Sequence, residues 1–291
     1  MFRHPALYVK GEHLNLTVLE TTLTDENIDE LKEMTAVIYE IEPILNSYEF
    51  AYSAYLDLEK AISELECSIN LKTELYDVDA TSRRTRNVTK CMLQYQCLAR
   101  TFLDHTKVCL TRNYGKKSAH LNTYLKGTHN AFDAGFGYGF LYKLRNYAQH
   151  IDIPISNYHV NCSDVETDKM ITDVKISVSR DRLIENYDEW SKVLPGLQEQ
   201  PADIELLPLI RDDMRNMTAI FKCAMNENHS RLMNFFGYMI TFRRVFFKGM
   251  QEGILALAEG LDPKQANLQF LPNDQAQRLY EALNRDRPFF V

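Results

Sequence analysis

No Cys-x-x-Cys pair occurs in this 291-residue chain, and none of its six cysteines (Cys67, Cys91, Cys97, Cys109, Cys162, Cys223) stands at metal-ligand spacing from a histidine. They read as reduced, mostly buried small apolar residues. Neither a metal site nor an organic cofactor is expected. The opening residues, Met1-Phe2-Arg3-His4-Pro5, lack the apolar run of a signal peptide. The longest apolar helical stretch, Leu232 to Phe242, is interrupted by Arg243-Arg244 and is too short to span a bilayer. The expectation is a cytoplasmic protein with no membrane partner, in which Asn87-Val88-Thr89 carries no glycan. There is no internal repeat, no low-complexity tract and no aromatic RNP strand for reading RNA sequence. Gly135-x-Gly137-x-Gly139 lacks the strand-turn-helix context of a nucleotide fingerprint; close approach of another helix is the better reason for those glycines.

What is present describes a globular protein. Hydrophobic residues make up 45% and charged residues 25%, ordinary values that exclude disorder as the default, and the length allows one large domain or two modest ones. The net charge of −7 is unevenly spread. Residues 1–81 carry 5 Lys and Arg against 17 Asp and Glu, residues 82–150 carry 12 against 2, and residues 151–291 carry 16 against 21. The one basic segment is a plausible footprint for RNA phosphates, densest at Arg83, Arg84 and Arg86 and again at Arg112, Lys116 and Lys117, with Lys143 further on. An acidic helix pairing with a basic one inside the molecule explains the same segregation.

Periodicity places the elements. Residues 6–20 alternate loosely, as a short strand or extended arm. Thr24 has the features of an N-cap, with Asp25 and Glu26 in the first turn and Leu23 and Ile28 spaced as a hydrophobic staple. Ile28, Leu31, Met34, Ile38, Ile41 and Leu45 then continue a helix over 25–75, with a kink possible at Pro43. A second helix spans about 82–114 and a third runs from Ser118 through Gly127 to His150. His129 and Asp133, four apart on it, are candidates to join a site there, or to make a surface hydrogen bond. Pro154, Asn157 and Asn161 mark a loop, and Val174, Ile176 and Val178 a short strand. Ser179 or Asp181 caps a helix through Trp190 to Leu194, stopped by Pro195-Gly196. A long helix is expected over 202–259, its aromatics serving as core or dimer interface, and a short one near 274–284. The fold class is mainly α: an antiparallel helical bundle over 1–155, then a short β element and an additional C-terminal helical region over 156–291.

The third helix closes on Leu144-Arg145-Asn146-Tyr147-Ala148-Gln149-His150. RNA phosphodiester cleavage needs this set. Histidine moves a proton near neutral pH, arginine offers a planar fork of donors to phosphate oxygens, and the amide of Asn146 bonds phosphate, ribose or a neighbouring side chain. Arg145 and His150 point roughly 140° apart at about 100° per residue, whereas Asn146 and His150 share a face. A complete site therefore points to a second copy of the motif from another subunit, and so to a homodimer.

Arg145-Asn146-x-x-x-His150 resembles the Arg-x4–6-His motif of HEPN domains, all-α modules found in toxins, phage-defence nucleases and RNA-processing enzymes. The resemblance covers about residues 25–155. It implies a metal-independent endoribonuclease with RNA as substrate, motifs meeting across a dimer, and an antitoxin or regulatory protein as a further partner. By the same resemblance His150 assists attack by the 2′-oxygen or protonates the leaving group, Arg145 stabilises phosphate charge and Asn146 orients the site. Two other readings stand beside it: a non-catalytic module that binds RNA, a nucleotide or a protein, and an immunity or scaffold protein whose acidic first helix meets a basic partner.

Overall fold

The computed structural model describes residues 2–10, 14–19, 21–70, 78–163, 171–247, 254–260 and 267–284. Strands β1 (Phe2–Lys10) and β2 (Leu14–Val18) precede the long helices α1 (Asp25–Asn70) and α2 (Val78–Tyr114). Helices α3 (Ala119–Asp133) and α4 (Phe136–His150) follow, then β3 (Asn157–Ser163), β4 (Ile171–Ser179) and α5 (Arg180–Asn186). A 3-10 turn at Ser191–Val193 leads into α6 (Leu194–Gln198), β5 (Asp203–Glu205) and α7 (Leu206–Asn226). The chain continues through α8 (His229–Phe247), β6 (Ile254–Gly260), β7 (Asn267–Phe270) and α9 (Asn273–Asn284). The protein is mainly helical, as the periodicity predicts, and it holds two small sheets where one short β element was expected.

Two compact units are present, and they do not divide at residue 155. One gathers Met1–Leu45 with Met225–Arg285; the other holds Asn46–Ala224, so α1 contributes to both. In the first unit the sheet order is β2-β1-β6-β7, all antiparallel neighbours. β6 corrects the expectation of one helix over 202–259. That span instead holds β5, α7, α8 and β6, and Leu255 to Ala258 are all buried. A short apolar run buried on both faces has no period to separate strand from helix. Pairing with β1, from Phe2↔Gly260 to Tyr8↔Ile254, decides it. The start of α1 is as expected: Thr24 Oγ1 accepts from the Asn27 N–H and Asn27 Oδ1 accepts from the Thr24 N–H, both at 3.2 Å, a reciprocal cap with Asn in the third position. Leu23 and Ile28 are both buried.

The second unit holds an aromatic core. Tyr48 stacks on Phe221 at 4.3 Å and meets Phe102 edge-on at 5.7 Å. Trp190, 1% exposed, packs against Phe140, Tyr147 and Tyr187, and its indole N–H donates to the Leu183 carbonyl at 3.1 Å. The sheet β3-β4-β5 buries Val174, Ile176 and Val178 on one face of β4. Asn157 and Asn161, expected in a loop, pair in β3, where Tyr158 ties the strand to α2 by donating to the Thr85 carbonyl at 2.8 Å. Three of the six free cysteines, Cys67, Cys97 and Cys162, are exposed rather than buried. Ser179 caps α5 as expected, accepting from the Arg182 N–H, but that helix ends at Asn186 and Pro195 opens α6 instead of stopping a helix.

The single third helix is two, separated at Ala134-Gly135, where Gly135 is fully extended. Close approach accounts for most of the glycines nearby. A Cβ on Gly127 would lie 3.0 Å from the Cβ of Cys223 on α7, and one on Gly139 would lie 3.2 Å from the Phe132 ring. Gly237 on α8, by contrast, faces open space. Gly127→Ala should therefore destabilise the protein by about 1–3 kcal/mol through overpacking. Gly237→Ala should stabilise it by about 0.5–1 kcal/mol by removing unfolded-state freedom from a helix interior. Urea unfolding followed by circular dichroism measures both; equal effects of one sign would contradict this packing.

Candidate functional site

Helix α4 carries the motif because its other face is gripped. Tyr138, Phe140, Leu141, Leu144 and Tyr147 are buried. The helix stops at His150, where the Ile151 N–H still donates to the Tyr147 carbonyl at 2.9 Å and the chain bends toward Pro154, consistent with the resistance of pre-proline residues to helical conformation. An ion pair between Arg182 and Asp152 holds the exit loop to α5.

The three motif side chains differ in surroundings. Arg145 is half-buried and its Nη1 donates to Asn146 Oδ1 at 3.2 Å, while its Nε is enclosed with no hydrogen-bond partner among the described residues. Asn146 is half-buried and also hydrogen-bonds the Tyr187 hydroxyl, a bond that opposes the upward push of burial on that phenol. His150 is exposed in the last turn of α4. Arg145 and Asn146 are thus brought together and His150 is presented to solvent beside them.

The basic residues do not gather into one patch. Arg83 and Arg86 are exposed near the start of α2, Arg84 is half-buried there, and Arg86 Nε donates to the Ser82 carbonyl at 3.1 Å. Lys116 and Lys117 are exposed in the turn after the far end of that helix, beside Gly115 with its φ of 91°. At 1.5 Å per residue the two groups lie on the order of 45 Å apart. Lys143 is half-buried on α4 itself. His129 and Asp133 are exposed on α3 and make no bond to each other.

Sequence reading missed the cavity beside Arg145, whose surface is mostly apolar. It has a volume of about 30 Å³ and is lined by Tyr95, Gln96, Arg100, Tyr142, Arg145 and Asp213 among others. Asp213 is 3% exposed, and the Tyr95 hydroxyl donates to its Oδ2 at 2.6 Å. Burial pushes the Asp213 carboxyl up to about 7, with the Tyr95 bond pulling the other way. Arg100 lies 4.5 Å over the Tyr142 ring and pairs with Asp104 at 2.8 Å. A signal for Asp213 was present in the sequence: Ile210, Asp213, Met214, Met217 and Phe221 follow helical spacing, which sets a carboxylate on an apolar stripe.

Among the described residues there is no group of three or more His, Cys, Asp or Glu side chains placed to hold a metal, and no helix is long and apolar enough to cross a membrane. Comparison of the chain with family models, curated proteins and solved structures finds no match.

The carboxyl of Asp213 sets a pH dependence with a definite sign. Its folded value near 7 lies above the roughly 3.9 of an unfolded aspartate. Between those values the folded state holds the extra proton, so stability falls as pH rises from about 4 to about 7 and the loss is complete above that. Asp213→Asn, which keeps an acceptor for Tyr95, should lack this fall. Urea unfolding at pH 4.5 and 7.5 should show a smaller difference in the variant; an equal difference in both would refute the assignment.

Proposed function

We propose that this chain is a metal-independent endoribonuclease of HEPN type. The observation that carries the reading is the Arg145–Asn146 hydrogen bond in the last turns of α4 with His150 exposed at its end. In this reaction the ribose 2′-oxygen attacks the adjacent phosphorus and the bond to the 5′-oxygen breaks. The products are a 2′,3′-cyclic phosphate and a free 5′-hydroxyl. His150 takes the proton from the 2′-hydroxyl or delivers one to the leaving 5′-oxygen, and Arg145 spreads its charge over the non-bridging oxygens. Asn146 keeps Arg145 oriented. One imidazole serves one of the two proton transfers, so a homodimer that brings two motifs together is part of the proposal, as are RNA as substrate, an antitoxin or regulatory protein as partner, and a toxin or phage-defence setting.

A specific observation favours a second reading, a non-catalytic module for RNA, a nucleotide or a protein. Arg145 lines the interior cavity with an enclosed Nε, and the arginines near the start of α2 are far along that helix from Lys116 and Lys117. Total cellular RNA incubated with the purified chain in excess EDTA separates the two. Cleavage leaving 2′,3′-cyclic ends, reduced at least about 100-fold in His150→Ala and in Arg145→Ala, is the expected outcome. A His150→Ala chain that cleaves as well as the unmodified one ends the nuclease reading, and salt-dependent binding without cleavage transfers support to the module.

A further inference from the structure

Residues 105–132, which cover the end of α2, the turn after it and most of α3, contain no Asp or Glu. They carry five cations, Lys107, Arg112, Lys116, Lys117 and Lys126, and all five are exposed. Among the described residues none of these meets a carboxylate at ion-pair distance, whereas Arg182, Arg211, Arg231 and Arg278 each do. Arg112 instead donates to the Asn113 side-chain oxygen at 3.5 Å. Like charge gathered without counter-charge raises self-repulsion, and an external polyanion relieves it.

Within this stretch two rings lie face to face. Tyr114, the last residue of α2, and His120, the second of α3, have ring centroids 3.7 Å apart and planes inclined by 8°. Gly115, with its φ of 91°, turns the chain between them, and Lys116 and Lys117 stand in the same turn. Ser118 closes it, its hydroxyl accepting from the Leu121 N–H. The ring spacing is close to the roughly 3.4 Å between successive bases along a nucleic-acid strand. Both rings are partly exposed. A flat aromatic pair flanked by cations complements an unpaired base with a phosphate on either side of it. A chain of phosphate or sulfate groups without bases would engage the cations and not the rings, and a duplex keeps its base faces stacked inside.

We propose that the α2–α3 turn is a binding site for single-stranded nucleic acid, in which an unpaired base stacks on the Tyr114–His120 pair and Arg112, Lys116 and Lys117 hold the neighbouring phosphates. The choice of RNA as the strand rests on the nuclease reading; the stack and the cations do not. No one base is selected, because every base offers a face to stack.

The full-length chain is used as His150→Ala in EDTA, so that every arm is read without cleavage. Fluorescence anisotropy reads its affinity for a labelled uridylate dodecamer, with an RNA duplex of the same length and a polyphosphate as unlabelled competitors. Adding His120→Ala should weaken strand binding about tenfold, the order of one stacked base, and leave the affinities of duplex and polyphosphate unchanged. His120→Phe, which keeps a ring, should restore strand binding. Lys116→Glu combined with Lys117→Glu should weaken the strand at least about tenfold and reduce the slope of log affinity against log salt by about 1.4, the value for two phosphate contacts on a single strand. Strand affinity that ignores His120→Ala, or an equal loss for duplex and polyphosphate, overturns the stacked base. Strand affinity that ignores the charge reversal overturns the site. Lys116 and Lys117 are exposed in a turn, so their reversal decides even if His120→Ala does not fold. An unmodified chain that cleaves RNA while its strand affinity ignores both changes loses this site and keeps the nuclease reading; one that binds as expected and cleaves nothing keeps the site and loses the nuclease.

Discussion

A carboxyl group with almost no exposure to water constrains much of the second unit. Asp213 sits on the apolar stripe of α7 and the Tyr95 hydroxyl on α2 donates to it at 2.6 Å. An ionised carboxylate in such surroundings is expensive, which is why burial raises its proton affinity instead of leaving it charged. The hydrogen bond limits that cost only while α2 and α7 keep their register. Around it Tyr48 stacks on Phe221 and Gly127 of α3 lets Cys223 of α7 come within contact distance. Each of these contacts requires α7 to be where the Tyr95–Asp213 bond needs it.

The same packing determines what α4 offers. Trp190 and its aromatic neighbours hold the buried face of the helix, so the direction of each motif side chain is fixed by residues that take no part in chemistry. Arg145 faces inward far enough to line the cavity and His150 does not. A five-residue interval on a helix of 3.6 residues per turn makes that divergence unavoidable within one chain. In the proposed nuclease reading, a homodimer is what answers that divergence.

Local signals carried the helical elements well. The Thr24 cap, the stripe from Ile28 to Leu45, the stop before Pro154 and the short helix near 274–284 all depend on neighbours within a few residues, and each appears in the structure. Long-range pairing was hidden. Ile254 to Gly260 becomes a strand only because β1, some 250 positions earlier, supplies its partner, and nothing in the run itself distinguishes strand from helix. The motif was legible as residues, and the structure adds which side of the helix each one occupies. The cavity was not legible, because Gln96 follows Tyr95 in an ordinary helical sequence and its isolation depends on what α4 and α7 bring against it. Asp213 could have been found from its spacing, but the run Arg211-Asp212-Asp213 resembles a solvated face.

The segregation of charge along the chain admits a sharper reading once partners are assigned. Acidic residues of α1 pair away from the basic segment: Glu59 takes both ends of the Arg211 guanidinium on α7, Glu66 accepts from the Val174 N–H on β4, and Glu40 and Glu42 meet Arg231 and Arg278. These partners of the four carboxylates lie on α7, β4, α8 and α9 rather than on α2. Arg83, Arg86, Lys116 and Lys117 stay at the two ends of α2 in solvent. Charges separated on the order of 45 Å lie well beyond a Debye length of roughly 8 Å at physiological salt, so the two groups do not act as one patch.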